Sequence, residues 1–259
     1  LDGELPLDHR AAAVDALTRA RLSSDQLGAL AETIAHVGPL ELNRLLALYE
    51  SVSDPAVGEK LIVSLQRSPI LTSLRVDALK QRIAKFPEPV QKQAEPLYAA
   101  INVEAGRQKE RLDELLTQMG KGDVRRGQVV FAHQKAACTV CHAMGYKGGN
   151  VGPDLSRIGK IRSERDLLES ILFPSVSLVR SYEPILVVTK SGQTHNGLVR
   201  RETADELILV TGAHQEARIL RSDIEEIRPS TVSVMPAGLD AQLTREQIID
   251  LVTFLKSRQ

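Results

Sequence analysis

The chain has 259 residues, of which 42% are hydrophobic and 25% are charged, a composition typical of soluble globular proteins. It carries 33 basic and 33 acidic residues, and this balance argues against a dedicated nucleic-acid-binding protein, which usually has a basic excess. Aromatic residues make up only 3% and Trp is absent, which disfavours a surface for base stacking. No apolar run reaches about 18 residues, so the sequence predicts no membrane span.

The chain begins with LDGELPLDHR rather than with a Met. This stretch has neither the basic region nor the apolar core of a signal peptide. We therefore expect the chain to be the C-terminal part of a longer protein. Its length is enough for one large domain or two of ordinary size.

Helix-start patterns recur at short intervals in the first part of the chain. They lie near Asp8, Ser24, Pro39, Asp54, Ser73 and Pro87. At one of them, Asp54 can cap the helix, Pro55 fits its first position and Pro69 follows its end. Short helices in pairs of about 30 residues predict a HEAT-like α-helical repeat region over residues 1–119. An irregular helical bundle is the alternative.

A charged helix is predicted over residues 106–119, and the sequence GKGD follows it. Because glycine ends helices, we place the start of a second domain, residues 120–259, at that point. This domain is predicted to begin with a helix over 124–138 that runs into the cysteines. A further helix covers 163–172, with Ser163 as its cap.

Residues 182–229 consist of short β-rich runs, separated by the turn sequences KSGQ, RETADE and TGAHQ. They predict about five strands of a small antiparallel barrel or curled sheet. The last helix, within 243–258, starts with a capping box of Thr244 and Gln247. Its predicted buried stripe consists of Ile248, Leu251, Val252 and Leu255. The predicted fold class is therefore mainly α, with a β insert.

Both cysteines of the chain lie in the stretch KAACTVCHAMG, directly before a histidine. C-x-x-C-H is the attachment sequence of c-type haem, in which two thiols add across the vinyl groups and the histidine binds the iron. We therefore predict one covalent haem c. Cys138 and Cys141 would form the thioether bonds, and His142 would be the proximal iron ligand.

Three other interpretations of the two cysteines stay open. A redox-active thiol pair has the same spacing, but it normally starts a helix after a strand, whereas the pattern before Cys138 is helical. A zinc site needs four ligands, and the chain has no second cysteine pair. The third alternative is that both cysteines are structural.

A haem that only transfers electrons needs a second axial ligand, and the chain has three methionines. Met144 is too close in sequence to His142 to reach the opposite face of the haem, and Met119 lies near the domain boundary. Met235 lies in an irregular loop, STVSVMPAGLD, just before the last helix. We predict that Met235 is the distal ligand, with ordinary core packing as the alternative. The order of attachment site, methionine loop and C-terminal helix is that of a mono-haem cytochrome c.

Three stretches of the second domain also carry a family resemblance. They are GQVVFAHQKAACTVCHAMGYKGGNVGPDLSRIG, ESILFPSVSLVRSYEPILVVTKSGQTHNGLV and IEEIRPSTVSVMPAGLDAQLTREQIIDLVTFL. Together they resemble the haem-binding c-type cytochrome domain of Planctomycetes and Verrucomicrobia. The resemblance places the haem site in 127–160, the β insert in 182–229, and the Met loop with the C-terminal helix in 230–258. In that family, HEAT-like repeats and a β-propeller similar to sugar dehydrogenases often precede the domain.

The resemblance implies roles for further residues. In cytochromes c the first and last helices cross closely at a glycine with an aromatic residue beside it. Gly127, Phe131 and Phe254 match this contact, although Phe254 stands where a Tyr is common. In such folds a proline carbonyl accepts the Nδ1 hydrogen of the proximal histidine, and Pro153 in GPDL matches that position. Ordinary packing and a plain turn are the alternatives.

The remaining histidines form no metal-spaced pair, and we predict that they are surface residues or ordinary hydrogen-bonding groups. They include His36, His133, His195 and His214. Basic residues near the haem loop are candidates for steering an acidic redox partner, with a solvated face as the alternative. These are Lys121, Arg125, Arg126, Lys135 and Lys147.

The sequence as a whole predicts an electron-transfer module and not an enzyme. It would relay electrons from a fused or partner dehydrogenase to a downstream acceptor, and its partners would be redox proteins rather than nucleic acid. Because haem c is attached outside the cytoplasm, we expect a periplasmic or otherwise extracytoplasmic location. One rival hypothesis is a haem-based sensor or ligand-binding domain with a displaceable distal ligand. Another is an interaction scaffold without haem.

Overall fold

The computed structural model describes residue 5 and residues 7–259, except for the side chains of residues 7, 8, 104–106, 108 and 109. Residues 1–4 and 6 of the predicted helical region lie outside this description. The chain divides into two compact units. The helical unit comprises Leu1–Glu114 and Gly238–Leu243, and the C-terminal unit comprises Leu115–Ala237 and Thr244–Gln259.

In the described part of the helical unit seven α-helices begin, with short 3-10 turns between some of them. They are α1 (Leu7–Arg19), α2 (Ser24–Thr33), α3 (Pro39–Leu46), α4 (Pro55–Arg67), α5 (Val76–Ile83), α6 (Glu88–Gln93) and α7 (Glu95–Leu116). The charged helix that the sequence predicts over 106–119 is the second half of α7. All regular structure among the described residues of this region is helical, as predicted.

Local capping explains where two of these helices begin. The Asp54 side chain accepts a hydrogen bond from the backbone N–H of Ala56, and Pro55 takes the first helical position of α4, as predicted. Ser23 and Gln26 form a capping box at the start of α2. The apolar faces of the helices meet in one core, which includes the fully buried side chains of Ile34, Leu42, Leu45, Tyr49, Leu61, Ile62 and Leu65.

The C-terminal unit combines helices with two sheets. Its helices are α8 (Val124–Ala132), α9 (Cys138–Cys141), α10 (Ile158–Ile161), α11 (Glu164–Leu172) and α12 (Arg245–Lys256). Its strands are β1 (Ala143–Met144), β2 (Lys147–Gly148), β3 (Ile185–Thr189), β4 (Thr194–Glu202), β5 (Glu206–Gly212), β6 (Gln215–Leu220) and β7 (Ile224–Pro229). The chain is therefore mainly α with a β insert. Among the described residues, no helix is both long and apolar enough to cross a membrane.

The predicted capping residues of two helices are confirmed. Ser163 caps α11 in a capping box with Asp166, and Thr244 caps α12 in a capping box with Gln247. The predicted stripe of α12 is buried at all four positions, Ile248, Leu251, Val252 and Leu255.

The helix predicted to run from residue 124 into the cysteines is wrong in its second half. Helix α8 ends at Ala132, and the cysteines lie on the separate turn α9. Helix α8 ends because the backbone of His133 is extended, with φ −72° and ψ 142°, and the left-handed Ala137, with a φ of 55°, then precedes α9. A second difference is the β1–β2 hairpin, which follows the cysteines directly and was not predicted.

The β insert forms one five-stranded antiparallel sheet in the order β6-β5-β4-β3-β7, so β6 and β7 are its edges. All five strands lie within residues 182–229, as predicted. Side chains alternate along each strand, and on β5 residues of both faces are buried, since Leu207 to Val210 are buried in succession. The centre of this small core consists of Val187, Leu207, Leu209 and Ile219.

Helices α8 and α12 pack against each other at Gly127. A Cβ atom at that position would lie 1.9 Å from the carbonyl oxygen of Asp250 and 2.7 Å from the Cβ of Phe254. Beside this contact the rings of Phe131 and Phe254 pack with their centroids 5.6 Å apart. Both aromatic side chains are buried. The structure thus brings together the three residues that the resemblance placed at a helix crossing.

A buried carboxylate joins the same two helices. Asp250, which is 2% exposed, accepts hydrogen bonds from the backbone N–H of Asp123 at 2.6 Å and from Arg126 Nε at 2.6 Å. The hydrogen bond from Arg126 is the main reason why the pKa of the Asp250 carboxyl is lowered, while burial acts in the opposite direction. The ionised form of Asp250 is therefore the form that holds α8 on α12.

We expect Asp250→Asn to destabilise the C-terminal unit at neutral pH and to remove part of its acid sensitivity. Because the pKa of Asp250 is lower in the folded state than in the unfolded state, its ionisation stabilises the fold above the unfolded pKa of 3.8. That contribution is lost as the pH falls through the lowered folded pKa. Urea unfolding followed from about pH 7 down to the lowest pH at which the protein stays folded measures the difference.

Glu246→Gln provides a matched control for Asp250→Asn. Glu246 lies on the same helix and pairs with the same Arg126 at 3.2 Å, but its side chain is 72% exposed. Exposed ion pairs contribute about 0–1 kcal/mol, so the free energy of unfolding of this variant should stay close to that of the parent at both ends of the pH range. Equal losses of stability in the two variants would contradict the role of Asp250.

Candidate functional site

The two cysteines and the histidine lie on one turn of helix and at its end. Helix α9 runs from Cys138 to Cys141, so the two side chains are three residues apart and lie on the same helical face. The backbone N–H of His142 donates to the carbonyl of Cys138 at 2.9 Å and closes the turn. Both cysteines are unpaired thiols and half-buried. The helical turn therefore places the two thiols side by side, and the chain continues in an extended conformation at His142.

Burial makes both thiols weak acids. It raises the pKa of Cys138 to about 12 and the pKa of Cys141 to about 11. Thiol–disulfide oxidoreductases work through a thiolate with a lowered pKa. These two groups are instead neutral thiols at neutral pH, which disfavours the interpretation as a redox-active pair.

The imidazole of His142 is fixed by a backbone carbonyl. Its Nδ1 lies 2.8 Å from the carbonyl oxygen of Pro153. Since a carbonyl oxygen only accepts, Nδ1 must carry the hydrogen, and Nε2 is then the nitrogen that can bind a metal. Burial lowers the pKa of His142, although the hydrogen bond to Pro153 acts against it. The side chain is thus held neutral, in the tautomer that ligates through Nε2.

A glycine-rich loop holds this arrangement together through its backbone. Three N–H groups of the loop donate to carbonyls of the cysteine segment: Gly149 to Thr139 at 2.8 Å, Gly152 to Cys141 at 2.8 Å and Leu155 to Ala143 at 2.9 Å. At Gly152 the loop lies directly against the imidazole. A Cβ atom there would lie 2.5 Å from Cε1 and 2.7 Å from Nδ1 of His142.

The sequence prediction did not include Gly149 or Gly152. A Cβ atom at Gly149 would lie 1.9 Å from the carbonyl oxygen of Val140, so this position also requires the absence of a side chain. The glycines of KGGNVG were the available indication, because closely spaced glycines often mark backbone that approaches another segment.

The loop that carries Met235 is anchored by side chains of other elements. The amide nitrogen of Asn196, on β4, donates to the carbonyl of Val232 at 3.1 Å. The backbone N–H of Ser233 donates to the hydroxyl of Ser175 at 3.0 Å. The backbone N–H of Met235 itself donates to the hydroxyl of Ser233 at 3.1 Å. One anchor of this loop is therefore supplied by the β insert, a contact that the sequence prediction also missed.

The sequence matches no protein-family model, and no curated protein matches it significantly. The resemblance to the cytochrome family therefore stays a prediction.

The structure also bears on the zinc interpretation. Among the described residues, no group of three or more His, Cys, Asp or Glu side chains is arranged to hold a metal ion. Zinc in a structural site takes four such ligands. A haem iron needs only two axial ligands from the protein, so this finding leaves the haem interpretation open.

The other residues that the sequence singled out lie as follows. The exposed histidines are His36, His133 and His214, whereas His195 on β4 is half-buried, and burial lowers its pKa. Met119 is half-buried in the turn after α7, and Met144 is half-buried in β1. The exposed basic residues near the cysteine loop are Lys121, Arg125, Arg126 and Lys147, and Lys135 is half-buried. Steering of a partner by these groups stays a prediction.

The residues present fit a covalent haem c. The attachment chemistry requires two neighbouring thiols and a neutral histidine whose Nε2 is available, and all three groups are present. Gly152 leaves the space that the imidazole of His142 occupies. The half-buried Met235, on an anchored loop of the same unit, supplies a thioether sulfur. The geometry of these groups therefore favours haem attachment over a redox-active thiol pair or a zinc site.

Proposed function

We propose that the C-terminal unit is a mono-haem cytochrome c domain that transfers electrons. Cys138 and Cys141 would hold the cofactor covalently, and His142 and Met235 would be the axial ligands. The single observation that carries this proposal is the 2.8 Å hydrogen bond between His142 Nδ1 and the carbonyl of Pro153. It orients the histidine directly after the two cysteines for ligation through Nε2.

The thiols are suited to covalent attachment. Cys138 and Cys141 would hold the haem group through two thioether bonds, and the addition of a neutral thiol to a vinyl group needs no oxidant. Half-buried thiols that face the same side of one helical turn can serve both vinyl groups of one cofactor.

The axial pair would define the kind of electron carrier. Bound haem c supplies one-electron chemistry, since its iron alternates between the ferric and ferrous states. A thioether ligand favours ferrous iron, so a His142/Met235 pair would give a higher reduction potential than two histidines. With both axial positions taken by protein side chains, no position is left for a substrate. For this reason we propose an electron carrier and not an enzyme.

The wider context follows from the same proposal. Haem c is attached outside the cytoplasm, so we propose a periplasmic or otherwise extracytoplasmic protein. Its partners would be an upstream dehydrogenase, either fused or separate, and a downstream electron acceptor. The helical unit, proposed to be a HEAT-like repeat region, would serve as a spacer or docking surface.

Absorption spectra of the full chain, produced in a host that attaches haem c, test this proposal. We expect sharp low-spin bands in the ferrous form and a weak long-wavelength band from the methionine–iron bond in the ferric form. High-spin ferric iron that readily binds carbon monoxide after reduction would instead support a sensor or ligand-binding domain. A colourless protein from such a host would overturn the haem assignment and leave the scaffold or thiol interpretations.

Met235→Ala tests the distal ligand. We expect complete loss of the long-wavelength band, a lower midpoint potential because the thioether no longer favours ferrous iron, and binding of carbon monoxide to the ferrous form. Spectroscopic redox titration measures the potential directly. Met119→Ala is the matched control, because Met119 is also half-buried in the same unit. This control variant should show the same band, midpoint potential and carbon monoxide binding as the parent. An unchanged band in Met235→Ala would refute this ligand.

A further inference from the structure

The chain segment directly after the Met235 loop is part of the helical unit. Residues Gly238–Leu243 belong to that unit, and the chain returns to the C-terminal unit at Thr244. Gly238 is the third residue after Met235, so the two Cα atoms are at most about 11 Å apart along the chain. The helical unit therefore holds one end of the loop that carries the proposed ligand.

Two contacts join this segment to other residues of the helical unit. Gly238 adopts a φ of 87°, in the left-handed region, and a Cβ atom there would lie 2.8 Å from the Cβ of Ser73. Leu239 is buried, with 8% exposure. Asp240 is 3% exposed and forms an ion pair with Arg111 of α7. A close approach at Gly238 and a charged pair at Asp240 thus hold the two sides of the buried Leu239.

The Arg111–Asp240 pair fixes position more than it adds stability. Burial raises the pKa of the Asp240 carboxyl, and this outweighs the neighbouring Arg111, which acts in the opposite direction. A buried charge that is desolvated to this extent gains little net free energy from its partner. Removal of the partner leaves the carboxylate without its counter-charge, so the segment would leave its position.

The other end of the loop is fixed in the C-terminal unit. The N–H groups of Ser233 and Met235 are bound to hydroxyl groups, and Val232 is bound to Asn196. Only Pro236 and Ala237 lie between Met235 and the first residue held by the helical unit. A linker this short transmits a displacement of Gly238 to Met235.

We propose that Arg111 and Asp240 are positioning residues for Met235, so that the helical unit sets how firmly Met235 binds the iron. This inference rests on the proposed function, and it gives the helical unit a role beyond that of a spacer. The ion pair acts on the ligand through the backbone of residues 236–239 and touches no reacting atom. Its loss should free Met235 without removing any ligand of the iron.

The test uses the haem-loaded full chain with Arg111→Met, Asp240→Asn and the charge-conserving variant Arg111→Lys. The matched control is Arg82→Met, which removes another partly buried ion pair of the helical unit, that between Arg82 and Glu50. The first readout is the affinity of ferric protein for added imidazole, which competes with Met235. The second is hydrogen exchange in the peptide that covers residues 230–237.

We expect Arg111→Met and Asp240→Asn to bind imidazole about three- to tenfold more tightly, because the methionine-bound state loses population. Exchange in residues 230–237 should be faster in both variants. Arg111→Lys should restore most of the parent behaviour, and Arg82→Met should match the parent in both readouts. Together these results would support the positioning role.

Parent-like exchange and parent-like imidazole affinity in Arg111→Met and Asp240→Asn would overturn the inference, even if both variants are less stable. A failure of the proposed function looks different. In that case the parent itself lacks the methionine–iron band and Met235→Ala changes nothing. The exchange readout still decides whether the ion pair holds the loop, because it does not depend on a bond between Met235 and iron.

Discussion

Gly127→Ala is expected to destabilise the C-terminal unit by about 3 kcal/mol or more. In most helices this substitution is favourable by about 1 kcal/mol, because alanine is the better helix former. Here the new methyl group would lie 1.9 Å from the carbonyl oxygen of Asp250, which is backbone and cannot rotate away. Helix α8 would have to move off α12, and the packing of Phe131 on Phe254 would be lost with it.

Gly28→Ala is the matched control for this change. Gly28 also lies inside a helix and is buried, but a Cβ atom there would meet only the flexible side chain of Lys60, at 3.5 Å. This variant should be neutral or more stable by up to about 1 kcal/mol. Chemical unfolding followed by circular dichroism gives the stability, and hydrogen exchange in α8 and α12 localises the loss. Parent-like protection of α8 in Gly127→Ala would show that the helices are not in close contact.

The boundaries of most helices could be predicted from local sequence because capping is a local interaction. Asp54, Ser163 and Thr244 each accept a hydrogen bond from an N–H two or three residues ahead, so the sequence around each contains the whole interaction. The strands of the β insert were predictable for a similar reason. Their alternation and their turn residues lie within single short stretches.

The errors arose where a distant contact or a special backbone conformation decides the structure. Helix α8 ends early because the backbone of His133 is extended, and nothing in the local apolar pattern marks that residue as the end of the helix. The position of Asp240 depends on Arg111, which lies 129 residues before it in the chain. A pairing over that separation cannot be inferred from one sequence.

The candidate site shows the same division. The order of Cys138, Cys141 and His142 carries its chemistry in five residues, and the resemblance supplied Pro153. The anchoring of the Met235 loop by Asn196 and Ser175 joins three separate stretches of the chain and became visible only in the structure. The sequence thus indicates which groups could react, whereas the fold determines which groups hold them in place.

Gly152→Ala should weaken the bond between His142 and iron without changing any proposed ligand. The added methyl group would lie 2.5 Å from Cε1 and 2.7 Å from Nδ1 of the imidazole, so the ring must turn or the loop must move. Either movement breaks the hydrogen bond from Nδ1 to Pro153, which lies 2.8 Å away and holds the ligating tautomer. Loss of such a supporting hydrogen bond typically costs about 10- to 100-fold in metal affinity.

An acid titration of the ferric spectrum measures this effect, because protons compete with iron for the imidazole. A tenfold weaker bond moves the low-spin to high-spin transition upward by about one pH unit. Gly212→Ala is the control, since a Cβ atom there would meet only the side chain of Gln215, at 3.5 Å, in the same unit. If Gly152→Ala titrates like the parent, the imidazole does not depend on the glycine-rich loop for its orientation. If it shifts while Gly212→Ala does not, the backbone at residue 152 is part of what makes His142 a ligand.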